Sequence, residues 1–163
     1  AAIREAVRRF PDMIVGAGTL LNVDQIKQVM DLGVKFGVSP GSTPALMDAV
    51  SNIGLPFLPG GSSVSEFMAL AEARFAVQKF FPAGPAGGPA FLKNIASLLS
   101  DISFCPTGGI NADNAADYLA LPNVIAVGGS WFVSADRIRN GDWAEITNDA
   151  RDIVRRFGSA KSL

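Results

Sequence analysis

Two lysines of this sequence stand in apolar, strand-like runs, and one of them lies well inside its run. Lys79 lies in AVQKFFPA, Ala76 to Ala83, flanked by Val77, Phe80 and Phe81. Strand alternation puts Lys79 and Phe81 on one face and Gln78 and Phe80 on the other. Lys35 is second in its own run and so belongs near the bottom rim, whereas Lys79 comes two positions further along. Taking a lysine out of water disfavours its ammonium form, and a neutral amine in an apolar pocket attacks carbonyl carbon. The competing reading is a lysine whose stem packs while its head snorkels to a carboxylate. Against it, none of the strand-like runs carries an Asp or Glu.

A second group of residues suits an anion. Two runs end in Pro106-Thr107-Gly108-Gly109 and Gly128-Gly129-Ser130. Glycines let a backbone approach a ligand closely, and N–H groups near a helix start favour negative charge. The same glycines would also serve tight strand-to-helix turns, and both readings stay open at this point. Thr19 and Thr107 end their runs, where each hydroxyl would meet a substrate or cap the next helix. Cys105 reads as an inert thiol of the core. Glu66 suits the first turn of its helix, and Arg155 and Arg156 suit the last turn of theirs. Trp131 and Phe132 are expected to pack beneath the last loop.

Six apolar runs would position these groups: MIVGAGT, VKFGVSP, LPFLPGG, AVQKFFPA, ISFCPTGG and VIAVGGSW. Their starting positions are spaced by 21, 21, 21, 26 and 22 residues. Between them lie VDQIKQVMDLG, TPALMDAVSNIG, SVSEFMALAEAR, GPAFLKNIASLLS and ADNAADYLAL, with apolar residues three and four apart, as in amphipathic helices. Asn22, Ser63 and Asn111 stand where N-caps belong. Strands alternating with helices at this period predict right-handed βαβ units and a parallel sheet, and strands apolar on both faces predict that both are covered. A doubly wound sheet gathers its glycine-rich loop at one switch point. Here every run ends in small or turn-forming residues, which suits a (β/α)8 TIM barrel whose whole C-terminal mouth faces one ligand.

The expectation is therefore a single barrel domain over residues 1–163, covering six of eight βα units and opening inside a helix, AAIREAVRRF. Two further units of this period, about 40 residues, would complete the ring, so the first two strands are expected to precede this sequence, the alternative being a genuine six-stranded domain.

Composition bounds the chemistry. The sequence contains no histidine, which excludes Ser-His-Asp and Cys-His relays and His-ligated metal sites. A net charge of −1 gives no support to a nucleic-acid or anionic membrane surface. No apolar run reaches the roughly 18 residues of a membrane span, and no cationic leader precedes an apolar segment. The single cysteine excludes an intrachain disulfide and fits a reducing cytoplasm.

Taken in order, IVGAGTLLN, FGVSPGSTPALM, KFFPA, SFCPTGGI and VGGSWFV resemble the 2-keto-3-deoxy-6-phosphogluconate (KDPG) aldolase family, which includes the 4-hydroxy-2-oxoglutarate aldolases. The resemblance runs the length of the sequence. It implies a (β/α)8 barrel, a class I mechanism with no metal or other cofactor, and a homotrimer. Lys79 would correspond to the Schiff-base lysine. Thr19, Pro40, Phe81 and Thr107 would line the pyruvyl pocket, and Gly108, Gly109, Gly129 and Ser130 would hold the phosphate. The partners implied are a phosphorylated keto acid and pyruvate, with no nucleic acid and no membrane. The family's catalytic glutamate and a carboxylate-gripping arginine lie on the second strand, outside this sequence. Gly84-Pro85 stands where many relatives carry an acidic residue. Two other readings remain at this stage: a phosphate-binding isomerase or synthase without a covalent intermediate, and an inactive structural fragment.

Overall fold

The computed structural model describes residues 2–158 of the chain. They divide into two compact units, the first running to Phe81 and the second starting at Pro82.

In the first unit strands and helices alternate: α1 (Ala2–Arg9), β1 (Gly16–Ala17), α2 (Val23–Met30), β2 (Phe36–Val38), α3 (Pro44–Ile53), β3 (Phe57–Leu58), β4 (Gly60–Gly61), α4 (Val64–Glu72) and β5 (Val77–Phe80). Strands β1, β2 and β3 are parallel neighbours, with Gly16 opposite Phe36 and Gly37 opposite Phe57. Gly60 and Gly61 of β4 pair in parallel with Lys79 and Phe80 of β5. One predicted run, 55–61, thus serves both neighbours. Gly37 and Ser39 donate their N–H groups to Pro56 and Leu58 on one side, and Lys79 and Phe81 donate to Pro59 and Gly61 on the other. Pro59 has a carbonyl to offer but no N–H, so the run divides into two short strands at that residue.

Local signals set the helix starts. Asn22 accepts a bond from Gln25 N at 2.9 Å, and Thr43, followed by Pro44, caps α3. Ser63 and Glu66 form a reciprocal capping box on α4. Hydrogen bonds from Ser63 and Ser62 hold the Glu66 carboxyl below its usual range. The core beneath these helices gathers Leu20, Ile26, Val29, Leu46, Val50 and Leu70.

The second unit holds α5 (Gly88–Ile95), β6 (Ser103–Pro106), α6 (Ala115–Leu119), α7 (Ala135–Asn140) and α8 (Trp143–Phe157). Leu92, Phe104, Tyr118 and Val124 are buried in it, and burial pushes the Tyr118 phenol up. The predicted strand 124–131 is corrected here: this run meets β6 only through isolated bridges, Phe104 to Val124 and Thr107 to Gly128. Three steps along β6 match four along its partner, so one extra residue bulges out and interrupts the ladder. The expected cap at Asn111 shifts as well. Its Oδ1 accepts from Asp113 N and Asn114 N, which makes a turn, and α6 begins only after Asn114.

Among the described residues no helix is long and apolar enough to cross a membrane.

Candidate active site

The parallel register places Lys79 before any side-chain contact is considered. Its N–H donates to Pro59 O at 2.8 Å, and Phe81 N donates to Gly61 O at 3.0 Å. Both faces of β5 then divide as alternation predicts. Phe80 is fully buried and meets Phe67 of α4 edge to face at 6.1 Å between centroids. Beside it the Gln78 amide donates to Phe67 O at 3.0 Å and to Phe75 O at 2.8 Å, while its Oε1 is buried without a partner. Two bonds from one amide fix that side chain against α4, so Lys79 must point to the other face of the sheet. There its side chain is only 8% exposed, and Nζ lies 4.5 Å from the Phe81 ring centroid. The negative face of an aromatic ring attracts a cationic nitrogen placed over it. Lys35, by contrast, is exposed at the opening of β2.

Glycine at position 60 brings a second predicted residue to this end of the sheet. A side chain on Gly60 would lie 2.4 Å from the carbonyl of Pro40 and 2.6 Å from that of Ser39. The 39–42 loop therefore packs directly on the register partner of Lys79. Ser39 Oγ accepts from Gly60 N at 3.4 Å, and Ser42 Oγ donates to Gly60 O at 2.9 Å. These serines fix Pro40 in place, and the sequence offered only the turn-forming Ser-Pro-Gly as their signal.

Thr19 follows β1 at the same end of the parallel sheet. It is exposed and adopts φ = 61°. That is a left-handed conformation a β-branched residue seldom takes. The chain is pinned on both sides of it, by the pairing of Ala17 with Gly37 and by Leu20 N on Val38 O at 3.0 Å. Backbone strain held in this way by its surroundings is found at functional sites more than elsewhere.

In the second unit Thr107 and the glycine loops come together. Thr107 is opposite Gly128, where a side chain would lie 2.7 Å from Thr107 Oγ1. Gly108 and Gly109 have φ of 93° and 78°, consecutive positive values that only glycine adopts freely. Two bonds attach the 83–84 segment to this loop: Ala83 N to Thr107 O at 2.8 Å and Gly84 N to Gly108 O at 2.9 Å. Asn114 Nδ2 donates to Gly109 O at 2.9 Å and fixes the loop from its other side. The backbone N–H groups of Gly108, Gly109, Gly129 and Ser130 have no acceptor among the described residues. Backbone N–H groups without an acceptor on glycine-rich loops are chemically suited to an anion.

The structure also places Trp131, Phe132 and Cys105. Trp131 packs on Gly129, whose added side chain would lie 1.9 Å from the indole, and meets Phe132 edge to face. Cys105, expected in the core, is only half-buried, because β6 alternates and turns Phe104 and Pro106 inward instead. No three His, Cys, Asp or Glu side chains cluster for a metal among the described residues.

Comparison with known proteins bears on the same segments. Residues 1–148 match the family model for KDPG and KHG aldolases. The KHG/KDPG aldolase of Escherichia coli K12 is 45% identical over 153 residues, covering 94% of this chain and 72% of that protein. A KDPG aldolase from Legionella pneumophila, solved with pyruvate captured at low pH as a covalent carbinolamine, superposes with a TM-score of 0.88. It is 43% identical, with 90% of this chain and 71% of that one covered. The KDPG aldolase of Zymomonas mobilis ZM4, solved with 3-phosphoglycerate, gives a TM-score of 0.81 at 38% identity, covering 90% and 70%. With its parallel α/β fold, its buried strand lysine and these likenesses, the chain belongs to the KDPG and KHG aldolase family.

Proposed function

We propose that this protein is a class I aldolase that cleaves KDPG to pyruvate and glyceraldehyde 3-phosphate. It would also cleave 4-hydroxy-2-oxoglutarate to pyruvate and glyoxylate. The observation that carries the proposal is Lys79: a side chain 8% exposed on β5, with Nζ 4.5 Å from the centroid of the Phe81 ring.

Nζ adds to the C2 carbonyl to form a carbinolamine, and loss of water gives an iminium. That cation accepts the electron pair of the C3–C4 bond as a base takes the C4 hydroxyl proton. The aldehyde leaves, the enamine is protonated at C3, and water releases pyruvate and the free lysine. Thr19, Pro40, Phe81 and Thr107 line the pyruvyl end in this reading. Gly108, Gly109, Gly129 and Ser130 receive the phosphate through their backbone N–H groups. The parallel βα units form part of one (β/α)8 barrel domain, and the enzyme is a cytoplasmic homotrimer that uses no cofactor. Sedimentation equilibrium tests the trimer.

Borohydride trapping tests the chemistry. The chain is incubated with pyruvate and reduced, and its peptides are mapped by mass spectrometry. A reduced pyruvyl adduct on Lys79, lost in a folded Lys79→Ala variant, is the expected result. An adduct on another lysine removes Lys79 from the covalent role, and no adduct, in this chain and in one extended at its N-terminus, favours an isomerase or synthase that binds phosphosugars without a covalent step.

A further inference from the structure

The loop after Gly128 is anchored at its start and closed by a short turn. Gly128 N donates to Pro106 O at 2.9 Å, and Val133 N donates to Ser130 O at 3.1 Å. Beyond that turn, Ser134 caps α7 by accepting from Arg137 N at 3.2 Å. The Arg137 side chain then folds back toward the loop, and its Nη1 donates to Phe132 O at 3.1 Å. The same nitrogen is ion-paired with Asp149 of α8. Both side chains are partly screened from water, 33% and 41% exposed. The charged groups that act on Arg137 are Asp149 and Glu145 of α8 and Asp142 just before it, all acidic.

We infer that Arg137 and Asp149 are positioning residues for phosphate: a strut from α8 that fixes the carbonyl end of the 129–132 loop and so aims its tip N–H groups. The tip, Gly129 and Ser130, is exposed, and its N–H groups have no acceptor among the described residues. A loop that must be ordered by its ligand binds more weakly than one ordered beforehand. Neither side chain needs to touch the ligand for this. The inference rests on the assignment of Gly129 and Ser130 to the phosphate in the proposed function.

The experiment measures the concentration of keto acid that half-saturates borohydride trapping. Two substrates are compared, KDPG and the unphosphorylated 2-keto-3-deoxygluconate, with the full chain and with Arg137→Met, Asp149→Asn and Arg137→Lys. The full chain is expected to trap KDPG at much lower concentration. Arg137→Met and Asp149→Asn are expected to raise the KDPG value about fivefold and to leave the unphosphorylated value within about twofold. Arg137→Lys, which keeps the charge without the planar fork, falls between. A merely structural role would move both substrates together, so equal losses overturn the inference. Unchanged KDPG values in both neutralising variants overturn it too. If the unmodified chain does not discriminate between the two substrates, the phosphate assignment itself fails.

Discussion

Thr19 offers a sharp test of how this site is held. It sits at φ = 61°, a region that costs an L-residue about 1–2 kcal/mol. Substituting glycine removes that cost and adds back about 0.5–1 kcal/mol of unfolded-state entropy. The Thr19 side chain is exposed, so little buried area is lost. Thr19→Gly should therefore gain up to about 1.5 kcal/mol of stability, raising the melting temperature by up to about 6 °C for a chain of this size. It should also lose pyruvate trapping, because the hydroxyl assigned to the pyruvyl pocket is gone. Arg74 is the control. It has φ = 71° at the end of α4, where Phe75 N donates to Leu70 O at 2.9 Å in a helix-ending turn. Arg74→Gly should gain similar stability and trap pyruvate normally. Urea and thermal unfolding followed by circular dichroism measure the first effect, and borohydride trapping measures the second. A Thr19→Gly protein less stable than the parent, beside a stabilised Arg74→Gly, would refute the strain argument. Full trapping by Thr19→Gly would remove its hydroxyl from the site.

Two further outcomes test the surroundings. Gln78→Glu would aim a carboxylate at the carbonyls of Phe67 and Phe75. It should cost at least about 3 kcal/mol at neutral pH. Burial raises the folded-state pKa of such an acid, so the penalty should shrink as pH falls toward 4 and the carboxyl protonates, in urea titrations across pH. A loss independent of pH would show that the charge is not the cause. Tyr118 is 2% exposed, and its phenol is pushed above its ordinary value of 10.0 by burial. Its contribution is present below pH 10 and lost as pH rises through the folded-state value. Tyr118→Phe should behave like the parent at pH 7 and lose less stability above pH 10, and parallel alkaline slopes in the two proteins would contradict this.

Much of the active strand is legible in the residues themselves. Alternation through Val77-Gln78-Lys79-Phe80-Phe81 is enough to set Lys79 beside Phe81, because the two faces of a strand are fixed by its pleat. The caps at Asn22 and Ser63 are equally local, since each side chain needs only the N–H three residues on. The absence of histidine limits the chemistry without any coordinates at all.

Other features depend on residues far apart in sequence. The bulge that breaks the predicted strand 124–131 arises from a mismatch of register with β6, which no pattern within either run contains. Pro40 reaches the register partner of Lys79 because Gly60 has no side chain, a contact across some 20 residues. The left-handed turn at Thr19 is imposed by pairing on both of its flanks. Arg137 looks like an ordinary cation of a short helix until Phe132 O and Asp149 are seen around it. Periodicity and composition determine which faces are buried, because those depend on nearest neighbours along the chain. The positions of hydroxyls, carbonyls and loop N–H groups depend on strand register and helix packing, and those are settled only when distant segments meet.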